Sequence, residues 1–129
     1  MAQANARPHL AIVEDNEDGR LLLQMLLEED YEVAGYEDGQ SALDGMSATV
    51  PDLVLLDFSL PDMEGAEVLE RLRAMPTLAK VPVVALTAHA QPGDRERFLN
   101  MGFDAYVSKP ITDELVLFDA IEELLAGRG

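Results

Sequence analysis

The sequence predicts an α/β fold in which a doubly wound, five-stranded parallel sheet carries helices on both faces. Three observations predict it. Short apolar runs alternate with amphipathic stretches from one end of the chain to the other. Strict β–α alternation calls for parallel strands joined by right-handed crossovers, which lay the helices over the sheet. The length, 129 residues, suits one domain of this kind and leaves no room for a second of ordinary size. The expected domain is residues 1–129, with a core over about 8–126.

Taken in order, Leu10-Ala11-Ile12-Val13 has the character of a short buried strand, and Glu17 to Glu29 carries helical periodicity through Leu22, Met25 and Leu26. Tyr31 to Tyr36 reads as the second strand, with Asp38-Gly39 turning into a helix from about Gln40 to Ser47. Pro51 and Asp52 introduce Leu53-Val54-Leu55-Leu56, apolar throughout and so expected to be covered on both faces. Glu64 to Met75 is helical, with Pro76 as its stop. Val81 to Leu86 is the fourth strand, with Pro82 tolerable only near its start. Gln91 to Met101 reads as a helix that ends at Gly102, and Phe103 to Val107 as the fifth strand. Ile111 to Ala126 is the last helix, apolar at Leu115, Phe118, Ile121, Leu124 and Leu125. No internal repeat, low-complexity tract or linker interrupts the pattern.

Composition excludes several classes of function. The chain has no cysteine, hence no disulfide, thiolate metal site or cysteine nucleophile. Its 25 acidic residues against 9 basic give a formal net charge of −16, which repels nucleic acid and anionic lipid alike. The apolar runs are too short to cross a bilayer and no secretory leader opens the sequence, so the expected location is cytoplasmic. Most of the carboxylates read as solvated helix faces that keep the protein soluble. A few at strand ends do not.

In a doubly wound sheet, ligands sit beyond the carboxyl ends of the strands, near a switch in strand order. Strand one ends in Glu14-Asp15, strand three in Asp57 and strand four in Thr87, and strand five leads into Ser108-Lys109-Pro110. Any one of these residues alone would read as a helix cap, a turn residue or a surface charge. Together they place three carboxylates, a hydroxyl and an ammonium on one edge. Clustered carboxylates repel one another unless a cation or proton compensates. Hard oxygen ligands with room for water suit Mg²⁺. A carboxylate can also act as nucleophile toward a phosphoryl group, with a metal and a lysine offsetting charge on the phosphoryl oxygens.

Four segments carry a resemblance over nearly the whole chain: Ile12-Val13-Glu14-Asp15-Asn16, Leu55-Leu56-Asp57-Phe58-Ser59-Leu60-Pro61, Ala85-Leu86-Thr87-Ala88 and Ser108-Lys109-Pro110. Each is weak alone; in this order and spacing they resemble the response-regulator receiver family, of the CheY-like, stand-alone single-domain type with a flavodoxin-like fold. The resemblance implies that Asp57 accepts a phosphoryl group from a histidine kinase or a histidine phosphotransfer protein in two-component or phosphorelay signalling. It implies Mg²⁺ held by Asp15, by Asp57 and by the backbone carbonyl of Ser59, with Glu14 reaching it through water. Thr87 resembles the switch hydroxyl, Lys109 the phosphoryl-pairing lysine, and Tyr106 the aromatic that turns inward when Thr87 moves. The family's part in the chemistry is that of a phosphoacceptor assisting its own phosphorylation and dephosphorylation, rather than an enzyme acting on other molecules. A cis Lys109–Pro110 peptide is also implied.

Two departures leave the expected chemistry intact. Glu14 stands where aspartate is also common, which lengthens the arm by one methylene, and Leu60 stands where methionine is frequent. His89 reads as an exposed residue at a helix entry, since a Mg²⁺ site prefers oxygen. Three other readings remain open at the sequence level. A phosphatase of the haloacid-dehalogenase type would carry a second aspartate two residues after its nucleophile, where this chain has Ser59. A flavodoxin-like cofactor carrier would want a Gly/Ser/Thr-rich loop after strand one, where this chain has Glu14-Asp15-Asn16-Glu17-Asp18. A receiver fold that binds partners without phosphorylation is opposed by the intact acid, threonine and lysine set. With Gly127-Arg128-Gly129 directly after the last expected helix, the signal is expected to leave through a downstream protein bound over Gln91 to Ala126, or through a phosphorelay.

Overall fold

Leu53, Val54, Leu55 and Leu56 are all fully buried, which a strand achieves only when both faces of its sheet are covered. They form the body of β3 (Leu53–Asp57), the central strand of the computed structural model, which describes residues 7–88, 92–109 and 114–128. The other strands are β1 (His9–Val13), β2 (Glu32–Tyr36), β4 (Val83–Thr87) and β5 (Ala105–Ser108). All pairings are parallel, in the order β2-β1-β3-β4-β5. The helices alternate with them: α1 (Glu17–Leu27), α2 (Gly39–Ala48), α3 (Gly65–Ala74), α4 (Asp94–Met101) and α5 (Glu114–Arg128). The chain leaves β1 for one edge and returns to the other side of it at β3, so the strand order switches between β1 and β3. That switch opens a crevice at their carboxyl ends.

Successive strand side chains alternate faces and so feed two cores. Ala11, Val13, Val54, Leu56, Val83 and Ala85 face α2, α3 and α4, where Leu43, Met46, Leu69, Leu72 and Phe98 meet them. Leu10, Ile12, Leu53, Leu55, Val84 and Leu86 face α1 and α5, where Leu23, Leu27, Leu117 and Ile121 meet them. Each fully buried side chain of this size contributes about 1.5–3 kcal/mol. The exposed Arg71–Glu67 pair on α3 adds only about 0.3–0.5 kcal/mol. The cores, not the surface ion pairs, hold the sheet between its helices.

Helix ends are closed by specific partners. Asn16 caps α1 by accepting from the Gly19 N–H at 2.8 Å. The last turn of α1 has no basic residue of its own, and Arg7 supplies the missing cation by donating to the Glu28 and Glu29 carbonyls. Arg73 on α3 donates to the Val81 carbonyl at 2.6 Å and pairs with Asp104 at 3.1 Å. Asp104 in turn accepts from the Val83 N–H, so one ion pair ties α3 to the starts of β4 and β5. Gly102 ends α4 with φ of 112°, a conformation that disfavours any other residue.

Differences from the expected elements lie mainly in which helix residues face inward. On α1 the core residues are Leu23 and Leu27, whereas Leu22 and Met25 are 51% and 69% exposed. The run Leu21-Leu22-Leu23 offers two equally apolar stripes, and docking on the sheet beside Leu10, Ile12 and Leu53 selects the one through Leu23. On α5, Leu115 is exposed and Leu117 takes the core position with Ile121. Strand β2 starts at Glu32, and β4 and β5 each end one residue later than expected, at Thr87 and Ser108. His89, Gln91, Ile111 and Pro110, and with Pro110 the expectation of a cis peptide after Lys109, lie outside the described residues. Among those that are described, no helix is long and apolar enough to cross a membrane.

Candidate functional site

Three strand ends deliver charge to the crevice between β1 and β3. Glu14 and Asp15 follow directly on β1, and Asp57 is the last residue of β3. One oxygen of each carboxylate lies within 4.8 Å of one oxygen of the other two. Lys109 arrives from the end of β5, its backbone N–H donating to the Thr87 carbonyl at 2.7 Å. That bond carries the chain back over the end of β4 and points the lysine at the acids. Its Nζ donates to Glu14 Oε1 at 2.8 Å and to Asp57 Oδ2 at 3.0 Å.

Burial and charge make this a strained electrostatic arrangement. Glu14 and Asp57 are only 2% and 5% exposed, while Asp15 is open to solvent. Burial, together with the neighbouring Asp57 carboxylate, pushes the Glu14 carboxyl up to about 7, against the opposing pull of Lys109. Burial also works against the Lys109 ammonium, but Glu14 and Asp57 outweigh it and hold its pKa above the ordinary lysine value. One ammonium faces three carboxylates within a few ångströms. The pocket is short of positive charge, which is the condition a divalent cation relieves.

The loop from β3 to α3 is folded tightly behind Asp57. The Ser59 N–H donates to Asp57 Oδ1 at 3.0 Å, and Ser59 pairs with Glu64 in an antiparallel bridge. The Gly65 N–H donates to the Phe58 carbonyl at 2.8 Å. A Cβ at Gly65 would lie 2.8 Å from the Phe58 Cα, so α3 can begin this close to Asp57 only from a glycine. The tip of the loop is tied to α2 by Asp62, whose two oxygens accept from the Gly39 and Gln40 N–H groups at 2.9 and 3.0 Å. Those two bonds hold the Asp62 carboxyl below the usual aspartate range.

Thr87 is buried at the end of β4, opposite Ser108 in the register. Tyr106 is half-buried on β5 and stands apart from the acidic group, with its ring 5.6 Å from that of Phe98 on α4. Phe98 is fully buried and meets Phe58 edge-on at 4.9 Å and Phe103 at 5.8 Å. An aromatic chain therefore runs from the residue after Asp57, through α4, to Tyr106. Of the residues expected in a site, Glu14, Asp15, Asp57 and Lys109 converge, Thr87 lies at the adjoining strand end, and Ser59 reaches Asp57 through its N–H rather than the carbonyl expected to face a metal. Phe58, Phe98, Arg20 and Asp62 carry no role in the sequence reading. Phe98 could have been noticed as the single aromatic on its helix, but the partners of Asp62 are 22 and 23 residues away and leave no local signal.

Beside Lys109 and Glu14 opens a cavity of about 420 Å³, walled on its apolar side by Leu22, Leu23 and Ala88. Of the three acids, only Glu14 lines it.

Residues 10–122 match the family model described as the response regulator receiver domain. The polar-differentiation response regulators DivK of Brucella anthropi and Brucella ovis are each 43% identical to the chain over 102 residues, covering 78% of this chain and 83% of theirs. Among solved structures, the signal receiver domain of a signal transduction histidine kinase from Syntrophus aciditrophicus superposes with a TM-score of 0.82 at 33% identity, over 93% of this chain and 91% of that one. The receiver domain of sensor histidine kinase PA1611 from Pseudomonas aeruginosa PAO1, a structure with a magnesium ion coordinated in its active site cleft, gives 0.84 at 30% identity over 94% and 99%. The match over residues 10–122, the identity to these relatives and the shared fold show that the chain belongs to the response regulator receiver domain family of two-component signalling.

Proposed function

We propose that this receiver domain takes a phosphoryl group onto Asp57 from a phosphohistidine, carried by a histidine kinase or a histidine phosphotransfer protein. The observation that carries the reading is the convergence of Glu14, Asp15 and Asp57 with Lys109 at the strand-order switch. In the transfer a carboxylate oxygen of Asp57 attacks phosphorus, the phosphorus–nitrogen bond breaks, and the imidazole leaves with its electron pair and then takes a proton. The product is an acyl phosphate on Asp57. Lys109, already 3.0 Å from Asp57, pairs with the incoming phosphoryl oxygens, and the Thr87 hydroxyl donates to another of them.

The donor set fits Mg²⁺. All of its candidate atoms are hard oxygens, and a single ammonium leaves two carboxylate charges uncompensated when all three acids are ionised. Asp15, Asp57 and the Ser59 carbonyl would hold the ion. Glu14 has both oxygens engaged, by Lys109 at 2.8 Å and by the Asn16 N–H at 3.3 Å, which favours contact through water. When bound, the cation neutralises charge that builds on the phosphoryl oxygens. The domain thereby assists its own phosphorylation and, with water as the attacking group, its own dephosphorylation.

Tyr106 then turns inward as Thr87 is drawn to the phosphoryl group, and a downstream protein reads the change over Gln91 to Ala126. A cytoplasmic location and independence from nucleic acid and membrane belong to the same reading. Asp57→Asn keeps the volume of the side chain and removes its nucleophilic charge. Incubated with a small-molecule phosphodonor and Mg²⁺, the variant is expected to take up no acid-labile label while its circular dichroism stays that of the wild type. Full labelling of the variant would place the acceptor elsewhere.

A further inference from the structure

We propose that Arg20 is a positioning residue of the acidic pocket, holding the Glu14–Asp15 peptide in place from α1, and that Gly35 on β2 is the slot that admits it. The proposal rests on the metal-binding reading above. Its basis is a side chain whose two ends are both committed. At the tip, the Arg20 guanidinium Nη1 donates to the Glu14 carbonyl at 2.8 Å, a charge-assisted bond. Along the stem, Arg20 Cδ and Cγ lie 3.1 and 3.3 Å from where a Cβ on Gly35 would stand. A Cβ at position 35 would crowd the stem and push it off the strand by a few tenths of an ångström, and a branched side chain would push it further.

The carbonyl that Arg20 holds belongs to the peptide joining the two acids. Fixing that peptide plane fixes the directions in which Glu14 and Asp15 leave the backbone. Three further bonds close the same turn: the Asn16 N–H to Glu14 Oε2 at 3.3 Å, the Gly19 N–H to Asn16 Oδ1 at 2.8 Å, and the Arg20 N–H to the Asn16 carbonyl at 2.9 Å. On the sheet side the Glu14 N–H donates to the Tyr36 carbonyl at 3.0 Å. Of these contacts, only the guanidinium reaches the Glu14 carbonyl from a side chain that substitution can remove. It touches no candidate metal-ligand atom, so its effect on the metal must pass through the backbone of Glu14. A solvated surface arginine would have no such effect.

The test is Mn²⁺ binding, followed by the electron paramagnetic resonance signal of the free ion, with the full chain at a temperature where every variant is folded. Mn²⁺ shares the preference of Mg²⁺ for oxygen ligands. Arg20→Ala is expected to weaken binding roughly 10-fold, the lower end of what supporting contacts around metal ligands are worth. Arg20→Lys can still reach one carbonyl with one donor and is expected to retain most of the affinity. Gly35→Val displaces the stem and is expected to reproduce the Arg20→Ala loss. The double variant should bind no more weakly than the weaker single one, because both act through one contact. A merely structural role would lower the melting temperature and leave Mn²⁺ affinity of the folded protein unchanged; that result overturns the proposal. Arg20→Met keeps most of the stem and lacks the donor, so it should lose as much as Arg20→Ala; wild-type affinity in Arg20→Met assigns the effect to packing and also overturns the proposal. Failure of the wild-type protein to bind Mn²⁺ overturns the metal site itself, a result distinct from wild-type binding that Arg20→Ala leaves untouched.

Discussion

Lys109 Nζ lies 2.8 Å from Glu14 Oε1, joining two residues 95 positions apart in the chain and crossing from the end of β5 to the end of β1. The contact divides the two acids after β1 into different kinds of group. Glu14 is buried and held by a cation, whereas Asp15 is exposed and free to turn toward a metal. It also makes Lys109 a shared counter-ion, since its other bond goes to Asp57.

The first prediction concerns pH. The Glu14 carboxyl titrates at about 7 in the folded protein and near 4.5 when unperturbed. Between those values the folded state binds more protons than the unfolded one, so apo stability falls as pH rises through that window. The loss across the whole window is about 3 kcal/mol at most, with the opposing pull of Lys109 already included in the folded value. Glu14→Gln should flatten the profile and raise the apo melting temperature at pH 8. Urea melts of both proteins from pH 5 to pH 8 measure this; parallel profiles would contradict it.

Asp62 gives the opposite sign. Its folded pKa lies below the ordinary 3.8, so its contribution is present in full above that value and is lost as pH falls through the folded pKa. Asp62→Ala removes the acceptor for two N–H groups of α2 and should cost about 1 kcal/mol at neutral pH, as other helix N-terminal acceptors do. The cost should shrink below pH 3.8, which urea melts at the two conditions would reveal. An equal cost at both would show that the charge on Asp62 is irrelevant.

Much of this architecture was legible before any coordinates. Leu53-Val54-Leu55-Leu56 marks a strand covered on both faces, and the acid or hydroxyl that ends each run marks the crevice. Those signals are local, carried by residues next to one another in the chain. What was not legible depends on rotation or on distance. The α1 stripe through Leu22 and Met25 is as apolar as the one through Leu23 and Leu27, and only docking on the sheet separates them. Leu115 and Leu117 differ in the same way on α5. Arg20 on Gly35, and Asp62 on Gly39, are contacts between elements, and a sequence shows one member of each without its partner.

The next prediction concerns the switch. If Thr87 transmits the state of Asp57 to Tyr106, beryllofluoride with Mg²⁺, a stand-in for the phosphoryl group, should shift the Tyr106 ring signals in nuclear magnetic resonance spectra of the wild-type protein. Thr87→Ala should still bind beryllofluoride and lose most of that shift, because a ligand can bias a two-state element only through a differential contact. A full shift in Thr87→Ala would redirect the coupling to the Phe58–Phe98–Tyr106 ring contacts, which bypass Thr87.

The central claim is that Asp57, and no other carboxylate of the pocket, carries the phosphoryl group. Borohydride reduces an acyl phosphate to an alcohol and so converts a phosphorylated aspartate into homoserine in place. The measurement is peptide mass spectrometry of wild-type protein phosphorylated in the presence of Mg²⁺ and then reduced. The account predicts homoserine at position 57 in proportion to the label taken up, with Asp15 and Glu14 unaltered. Homoserine at position 15, or an intact Asp57 in fully labelled protein, would contradict it.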